Sequence, residues 1–89
     1  MKVLKTPSNI LLYSRAMCGW CIDAKRWLDE IGWKYEIRDT GKDLSARSEA
    51  IEKSGQTLVP VIDVDGLVLG DFDTDQLEVF LKEHGYLAK

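Results

Sequence analysis

The chain has no long hydrophobic run and no excess of positive charge. Its 89 residues contain no stretch of about 18 apolar residues, which excludes a membrane-spanning helix. Residues 1–8 lack the apolar stretch of a signal peptide, so we expect a cytoplasmic protein. A net charge of −3, with Lys and Arg scattered along the chain, offers no basic surface for DNA or RNA. The length suits one domain, residues 1–89, because a single domain usually takes roughly 100 to 200 residues.

Cysteine and histidine are also scarce. The two cysteines both lie in Cys18-Gly19-Trp20-Cys21, and His84 is the one histidine. A disulfide across four residues closes too short a loop to serve as the framework of a small fold. A structural zinc site needs about four ligands, which two thiols and one imidazole do not supply, so no metal site is expected. The pair therefore indicates thiol chemistry.

The first half of the chain reads as strand, helix, strand. A short apolar run predicts a buried strand over Asn9–Ser14, and alternation over Trp33–Arg38 predicts a second strand with Trp33, Tyr35 and Ile37 facing inward. Between them, apolar residues recur at helical spacing from Trp20 to Ile31, and Gly32 can end that helix. The length of this segment suits a right-handed βαβ unit with parallel strands.

The second half adds a helix, a hairpin and a last helix. A less amphipathic helix is predicted over Asp43–Ser54, with Leu44, Arg47, Ala50 and Ile51 at helical spacing. The turn dipeptide Asp65-Gly66 separates two short strands, and Asp73 or Thr74 can cap the third helix. The strands are Val59–Val64 and Leu67–Leu69, and the helix stripe is Leu77, Phe80, Leu81 and His84. The order βαβαββα predicts an α/β fold: a four-stranded mixed sheet flanked by helices on both faces.

The motif and its surroundings resemble the glutaredoxin family, whose members have the thioredoxin-like fold. The segment from Cys18 to Asp39 is similar to the family pattern C-x-x-C-x-x-A-K-x-x-L-x-x-x-G-x-x-Y-x-x-x-D. Arg47 lies thirteen positions before Pro60, where the family carries a polar or basic residue. The segment from Ser54 to Pro60 is similar to the family's S-G-x-x-T-V-P. The resemblance covers Ile10 to about Leu81, and it implies a thiol–disulfide oxidoreductase.

The position of the motif makes its two cysteines unequal. Cys18 falls at the start of the first helix, where unpaired backbone N–H groups and a dipole of about +0.5 charge stabilise a thiolate. Such positions lower a thiol pKa from ~8.5 to ~3.5–7.5. We therefore expect Cys18 to be the nucleophile that attacks a disulfide. Cys21, one turn later and on the inward side, is expected to be the resolving thiol.

The resemblance also implies residues that bind the substrate. It implies a cis peptide bond at Pro60, with the backbone of Val59 free to pair with an extended substrate beside Leu58, and it implies a glutathione site built from Arg15 and Arg47. Trp20, between the cysteines, is expected to pack on a substrate backbone. The γ-glutamyl end of glutathione would meet Phe72, Asp73 and Thr74. The alternatives are surface arginines without a ligand, and aspartates that only cap a helix.

Three departures from the family concern this glutathione site. Thr57 replaces the basic residue often found before the family's T-V-P, Leu58 stands where the family has Thr, and Asp71 replaces the second glycine of its Gly-Gly turn. Asp71, Asp73 and Asp75 make that corner acidic, which suits an ammonium group and repels a carboxylate.

The sequence thus predicts an enzyme that reduces protein disulfides or glutathione mixed disulfides, as a monomer without a tightly bound cofactor. Its reductant would be glutathione as co-substrate or a thioredoxin-reductase-type flavoenzyme. The first alternative is a thioredoxin-like electron donor that serves one partner enzyme. The second, from a different class, is a carrier of a [2Fe–2S] cluster shared between two subunits, because Gly19 stands where many dithiol glutaredoxins have proline.

Overall fold

The short apolar and amphipathic runs fold into the predicted order of elements. The computed structural model describes residues 1–89. The sheet order is β2-β1-β3-β4, with β1 parallel to β2 and antiparallel to β3, and β3 antiparallel to β4. The mixed four-stranded sheet is thus confirmed. The elements are β1 (Ile10–Ser14), α1 (Gly19–Ile31), β2 (Glu36–Asp39), α2 (Leu44–Ser54), β3 (Val61–Val64), β4 (Leu67–Gly70) and α3 (Thr74–Glu83).

The helices cover both faces of the sheet. On one face, α1 and α3 pack over the strands in a cluster of thirteen buried apolar residues that includes Ala24, Leu28 and Leu77. Ala24 and Leu28 are one turn apart, so they lie on the same face of α1. On the other face, α2 packs through two alanines, Ala46 and Ala50. No helix is long and apolar enough to cross a membrane.

The predicted boundaries and faces need correction in β2, α2 and β3. β2 begins at Glu36 rather than Trp33, and Ile37 is 41% exposed instead of facing inward. β2 is an edge strand, so it pairs with β1 alone and its other side is open to solvent. Leu44 of α2 is 77% exposed, whereas the buried face is Ala46 and Ala50. β3 begins at Val61, after Pro60, which has no N–H for a ladder hydrogen bond.

The third helix also ends earlier than its stripe suggests. Leu77, Phe80 and Leu81 are buried, as predicted, and Asp73 is the N-cap. His84, however, is the C-cap and is exposed, with its imidazole edge-on to the ring of Phe80. The last position of the stripe therefore lies beyond the buried face.

A polar network fixes α2 where apolar contact is small. The buried Tyr13 hydroxyl donates to Glu49 (2.8 Å) and accepts from Lys53 (2.9 Å), whose Nζ also donates to Asp63 (2.7 Å). Arg38 on β2 donates to the other oxygen of Glu49 at 2.7 Å. Burial lowers the pKa of Lys53, but hydrogen bonds to Asp63 and Tyr13 outweigh it and raise the pKa overall. This polar network and the two buried alanines together hold α2 in one position on the sheet.

Candidate active site

The cysteine pair lies where β1 ends and α1 begins. Cys18 is the N-cap of α1, and the N–H of Cys21 donates to its Sγ at 3.2 Å. The two residues form a disulfide, with Cα atoms 5.2 Å apart. Cys18 keeps 9% of its surface exposed, whereas Cys21 is fully buried. An external sulfur can therefore reach Cys18 first, and the N–H of Cys21 can stabilise its thiolate once the disulfide is reduced.

The loop before β3 lies against the cysteine pair. The Val59–Pro60 peptide bond is cis, as the resemblance implies, and Pro60 is fully buried. The carbonyl oxygen of Val59 lies 4.0 Å from Sγ of Cys18. A chain that pairs with the backbone of Val59 would therefore place its own sulfur beside Cys18.

One residue of this loop was missed by sequence reasoning. The side-chain amide of Gln56 accepts from the N–H of Leu58 at 2.6 Å and donates to the carbonyl of Leu58 at 2.9 Å. Its Nε2 also donates to Ser54 at 3.1 Å. We call this set of contacts the Gln56 bridge. Because it fixes the backbone next to Val59, it holds in place the edge that the family resemblance implies for substrate pairing. No feature of the sequence signals it, since a glutamine that hydrogen-bonds to the backbone looks like any other polar loop residue in a sequence.

A cationic cleft opens on one side of the cysteine pair. The structure brings together Arg15, from the loop after β1, and Arg47, from α2, in a cleft of about 200 Å³ that ends at Leu58 and Val59. Neither arginine forms an ion pair. Leu58 is exposed at the rim. The cleft can therefore hold a carboxylate next to Cys18.

An acidic corner lies on the other side. Trp20, 58% exposed, lines a cleft of about 190 Å³ together with the β4–α3 turn. Phe72 buries its side chain in the core, so only its backbone is accessible there. Asp73 makes a capping box with Gln76: its carboxylate accepts from the N–H of Gln76, and its own N–H donates to the side chain of Gln76. The turn is completed by Asp71.

The structure does not bring Thr74 into this corner. Thr74 is the first residue of α3 and lines a separate crevice between α1 and α3. The helix-capping interpretation of Asp73 holds in the structure, and it engages one oxygen of that carboxylate. No three metal-ligating side chains come together anywhere in the chain.

This fold with this cysteine pair defines a thiol–disulfide oxidoreductase of the thioredoxin-like class. Residues 10–69 match the glutaredoxin family model. The chain belongs to the glutaredoxin family. It is 32% identical over 76 residues to a glutaredoxin of Ricinus communis, which covers 82% of this chain and 74% of that protein.

Solved structures agree with that assignment. The solution structure of a glutaredoxin from Brucella melitensis is 26% identical, covers 92% of this chain and 86% of its own, and superposes with a TM-score of 0.66. The crystal structure of a protein described as thioredoxin-like is 27% identical, covers 82% of this chain and 100% of its own, and superposes with a TM-score of 0.74.

Proposed function

We propose that this oxidoreductase uses glutathione as its electron donor and reduces protein disulfides or glutathione mixed disulfides. The main observation that supports this proposal is the cationic cleft. Two unpaired arginines, Arg15 and Arg47, share one cleft with Val59, whose carbonyl lies beside Sγ of Cys18. Glutathione is a tripeptide with a thiol at its centre and a carboxylate at its glycine end. With its sulfur at Cys18 and its backbone along Val59, the carboxylate would lie at the arginines.

The acidic corner supports the other end of the tripeptide. The γ-glutamyl group carries an ammonium, and Asp71 and Asp73 supply the opposite charge next to Trp20. One oxygen of Asp73 is engaged in the capping box, and the second remains available. The same corner would repel the γ-glutamyl carboxylate, so the cationic cleft contributes more of the affinity.

The reaction follows from the different exposure of the two thiols. The Cys18 thiolate attacks one sulfur of the substrate disulfide, so a Cys18–sulfur bond forms, the substrate bond breaks and the departing thiolate takes a proton. Either Cys21 then attacks Cys18, which releases the second substrate thiol and closes the Cys18–Cys21 disulfide, or, where the sulfur held by Cys18 belongs to glutathione, a further glutathione attacks that sulfur, which frees the Cys18 thiolate and forms glutathione disulfide. Two glutathione molecules reduce the enzyme disulfide and become glutathione disulfide.

Cysteine variants test the roles of the two thiols. Cys18→Ser is expected to remove all activity, because no other thiol is exposed. Cys21→Ser is expected to keep activity on glutathione mixed disulfides, since glutathione itself can resolve the first adduct. The measurement is the steady-state rate with a glutathione mixed disulfide. Turnover by Cys18→Ser would contradict the assignment.

Two arginine variants test whether glutathione is the electron donor. Arg47→Gln is expected to raise KM for glutathione about fivefold, because a partly solvated carboxylate contact contributes about 1 kcal/mol. Arg26→Gln is the matched control: Arg26 is exposed on α1 and lines a different crevice. No glutathione activity in the wild type, with full activity from a thioredoxin-reductase-type flavoenzyme, would refute the proposal and favour the thioredoxin-like alternative. A brown dimer after purification would favour the cluster carrier.

A further inference from the structure

A groove with an apolar floor lies between the free edge of the sheet and α3. It has a volume of about 370 Å³. Val79, which lines it from α3, is 53% exposed. The lining residues are Leu69, Asp75, Gln76, Val79, Phe80 and Glu83. We call this surface the α3 groove.

The α3 groove is continuous with the active site. Gln76 lines both the groove and the acidic corner that contains Trp20. From Gln76 to Glu83 the helix rises about 10 Å, at 1.5 Å per residue. An extended chain covers that length with about three residues, at ~3.3 Å each. A tripeptide centred on Cys18 uses the clefts on either side of the cysteines, so the α3 groove lies beyond its reach and suits a longer polypeptide.

The backbone of the sheet offers a second contact for such a polypeptide. β4 pairs only with β3, so its outer edge keeps unpaired N–H and C=O groups along the groove. An extended segment can pair with such an edge while its side chains meet the groove floor.

The charges around the groove favour a positively charged partner. Four carboxylates line the groove and the adjoining corner, and no lysine or arginine does. Across the cysteine pair the pattern is reversed, since the cationic cleft contains two arginines and no carboxylate. A second copy of this chain is disfavoured as the occupant, because the chain itself carries a net charge of −3. The four carboxylates are Asp71, Asp73, Asp75 and Glu83.

We propose that the α3 groove binds a basic and apolar segment of a protein disulfide substrate, adjacent in sequence to the cysteine that Cys18 attacks. The apolar side chains contact Leu69, Val79 and Phe80, and the basic side chains lie along the carboxylates. The inference depends on disulfide exchange at Cys18, and it does not depend on glutathione as the donor.

Two peptide substrates test the proposal. Each is a mixed disulfide between a cysteine peptide and the same small uncharged thiol, which leaves when Cys18 attacks the peptide sulfur. The two peptides contain the same leucines, and one has flanking lysines whereas the other has flanking glutamates. The enzyme is reduced beforehand with dithiothreitol and followed for a single turnover, so glutathione plays no part. We expect the lysine peptide to react about tenfold faster at low salt, with the difference shrinking as salt rises. Equal rates for the two peptides would overturn the proposal.

Variants of the α3 groove test whether the preference for the lysine peptide comes from this surface. Glu83→Lys and Val79→Ser, both at exposed positions, are expected to lower the rate with the lysine peptide about threefold to fivefold. Neither should change the rate with a small glutathione mixed disulfide. Glu52→Lys is the matched control, since Glu52 is exposed on α2, which covers the opposite face of the sheet. An equal loss in Glu52→Lys would overturn the proposal, because it would indicate a general charge effect.

One further result would assign the groove to another occupant. If sedimentation shows a dimer of the wild type that Val79→Ser dissociates, the groove binds a second copy of this chain and the proposal is wrong. Failure of glutathione as donor, with the lysine preference intact, would refute only the proposed function.

Discussion

Replacing Gln56 by alanine removes the Gln56 bridge without touching the cysteines. The side chain makes two hydrogen bonds to the backbone of Leu58 and one to Ser54, at 2.6 to 3.1 Å. In Gln56→Ala, the N–H and carbonyl of Leu58 exchange these bonds for water. The backbone of the adjoining Val59 then samples more conformations before a substrate pairs with it.

The size of the effect follows from the exposure of these groups. A net hydrogen bond contributes about 0.5–1.5 kcal/mol, and the exposed position of Leu58 favours the lower end. Two bonds to the backbone therefore give about 1 kcal/mol of preorganisation. Since 1.4 kcal/mol is a factor of about ten, kcat/KM for a peptide disulfide should fall about fivefold. The loss should come mainly from KM, because Cys18 and its contact with the N–H of Cys21 are unchanged.

Two assays separate positioning from damage to the site. Steady-state kinetics with a peptide disulfide measures KM and kcat, and alkylation by iodoacetamide measures the reactivity of Cys18 alone. Gln56→Glu should be intermediate, because its carboxylate can accept from the N–H of Leu58 but cannot donate to the carbonyl. An unchanged KM in Gln56→Ala, or an equal fall in the alkylation rate, would refute the positioning role.

Three further predictions concern the scaffold. Gly70→Ala should lower the stability and raise KM, because its Cβ would lie 2.7 Å from the amide nitrogen of the Gln56 bridge; thermal melts and kinetics check this. Lys53→Met should cost about 2 kcal/mol in urea unfolding by leaving Asp63 without its cation, and adding Asp63→Asn should restore part of it. Burial and neighbouring carboxylates raise the pKa of Tyr35 and Tyr86 to about 12. Their contribution to stability should therefore be complete below about pH 10 and lost as the pH rises towards 12, as unfolding across that range would show.

The order of elements was predictable because local patterns carry it. The stripe of α1 includes Ala24 and Leu28, which are both buried, and Gly32 ends the helix in the left-handed region at φ 83°. The turn at Asp65-Gly66 joins β3 to β4 as the dipeptide indicates. In these segments the residue pattern and the tertiary environment favour the same structure.

The buried face of α2 was only partly predictable from the same reasoning. Its buried residues are the alanines Ala46 and Ala50, which give little contrast with the polar positions around them. The polar contacts that fix α2 join parts of the chain far apart: Tyr13 and Glu49 are separated by 36 positions. The predicted helical spacing therefore included Ala50, which is buried, but also Leu44, which is exposed.

The active site also contains some residues that the sequence predicts and others that it does not. Cys18 and Cys21 are recognisable because a nucleophile at a helix N-terminus has a local signature. Gln56 and Gln76 are not, because a glutamine that hydrogen-bonds to the backbone resembles any polar loop or helix residue in a sequence. Each nevertheless fixes a segment that lies beside the cysteine pair, the loop before β3 and the first turn of α3.

The net charge of the whole chain does not show how the charges are distributed around the cysteines. The unpaired arginines come from the β1–α1 loop and α2, and the carboxylates from the β4–α3 turn and α3, so the fold separates the two signs by the cysteine pair. A substrate that lies across Cys18 therefore gains in one orientation and loses in the reverse one. Selection among disulfides by such a surface depends on the order of charges along the partner chain, which its net charge alone does not describe.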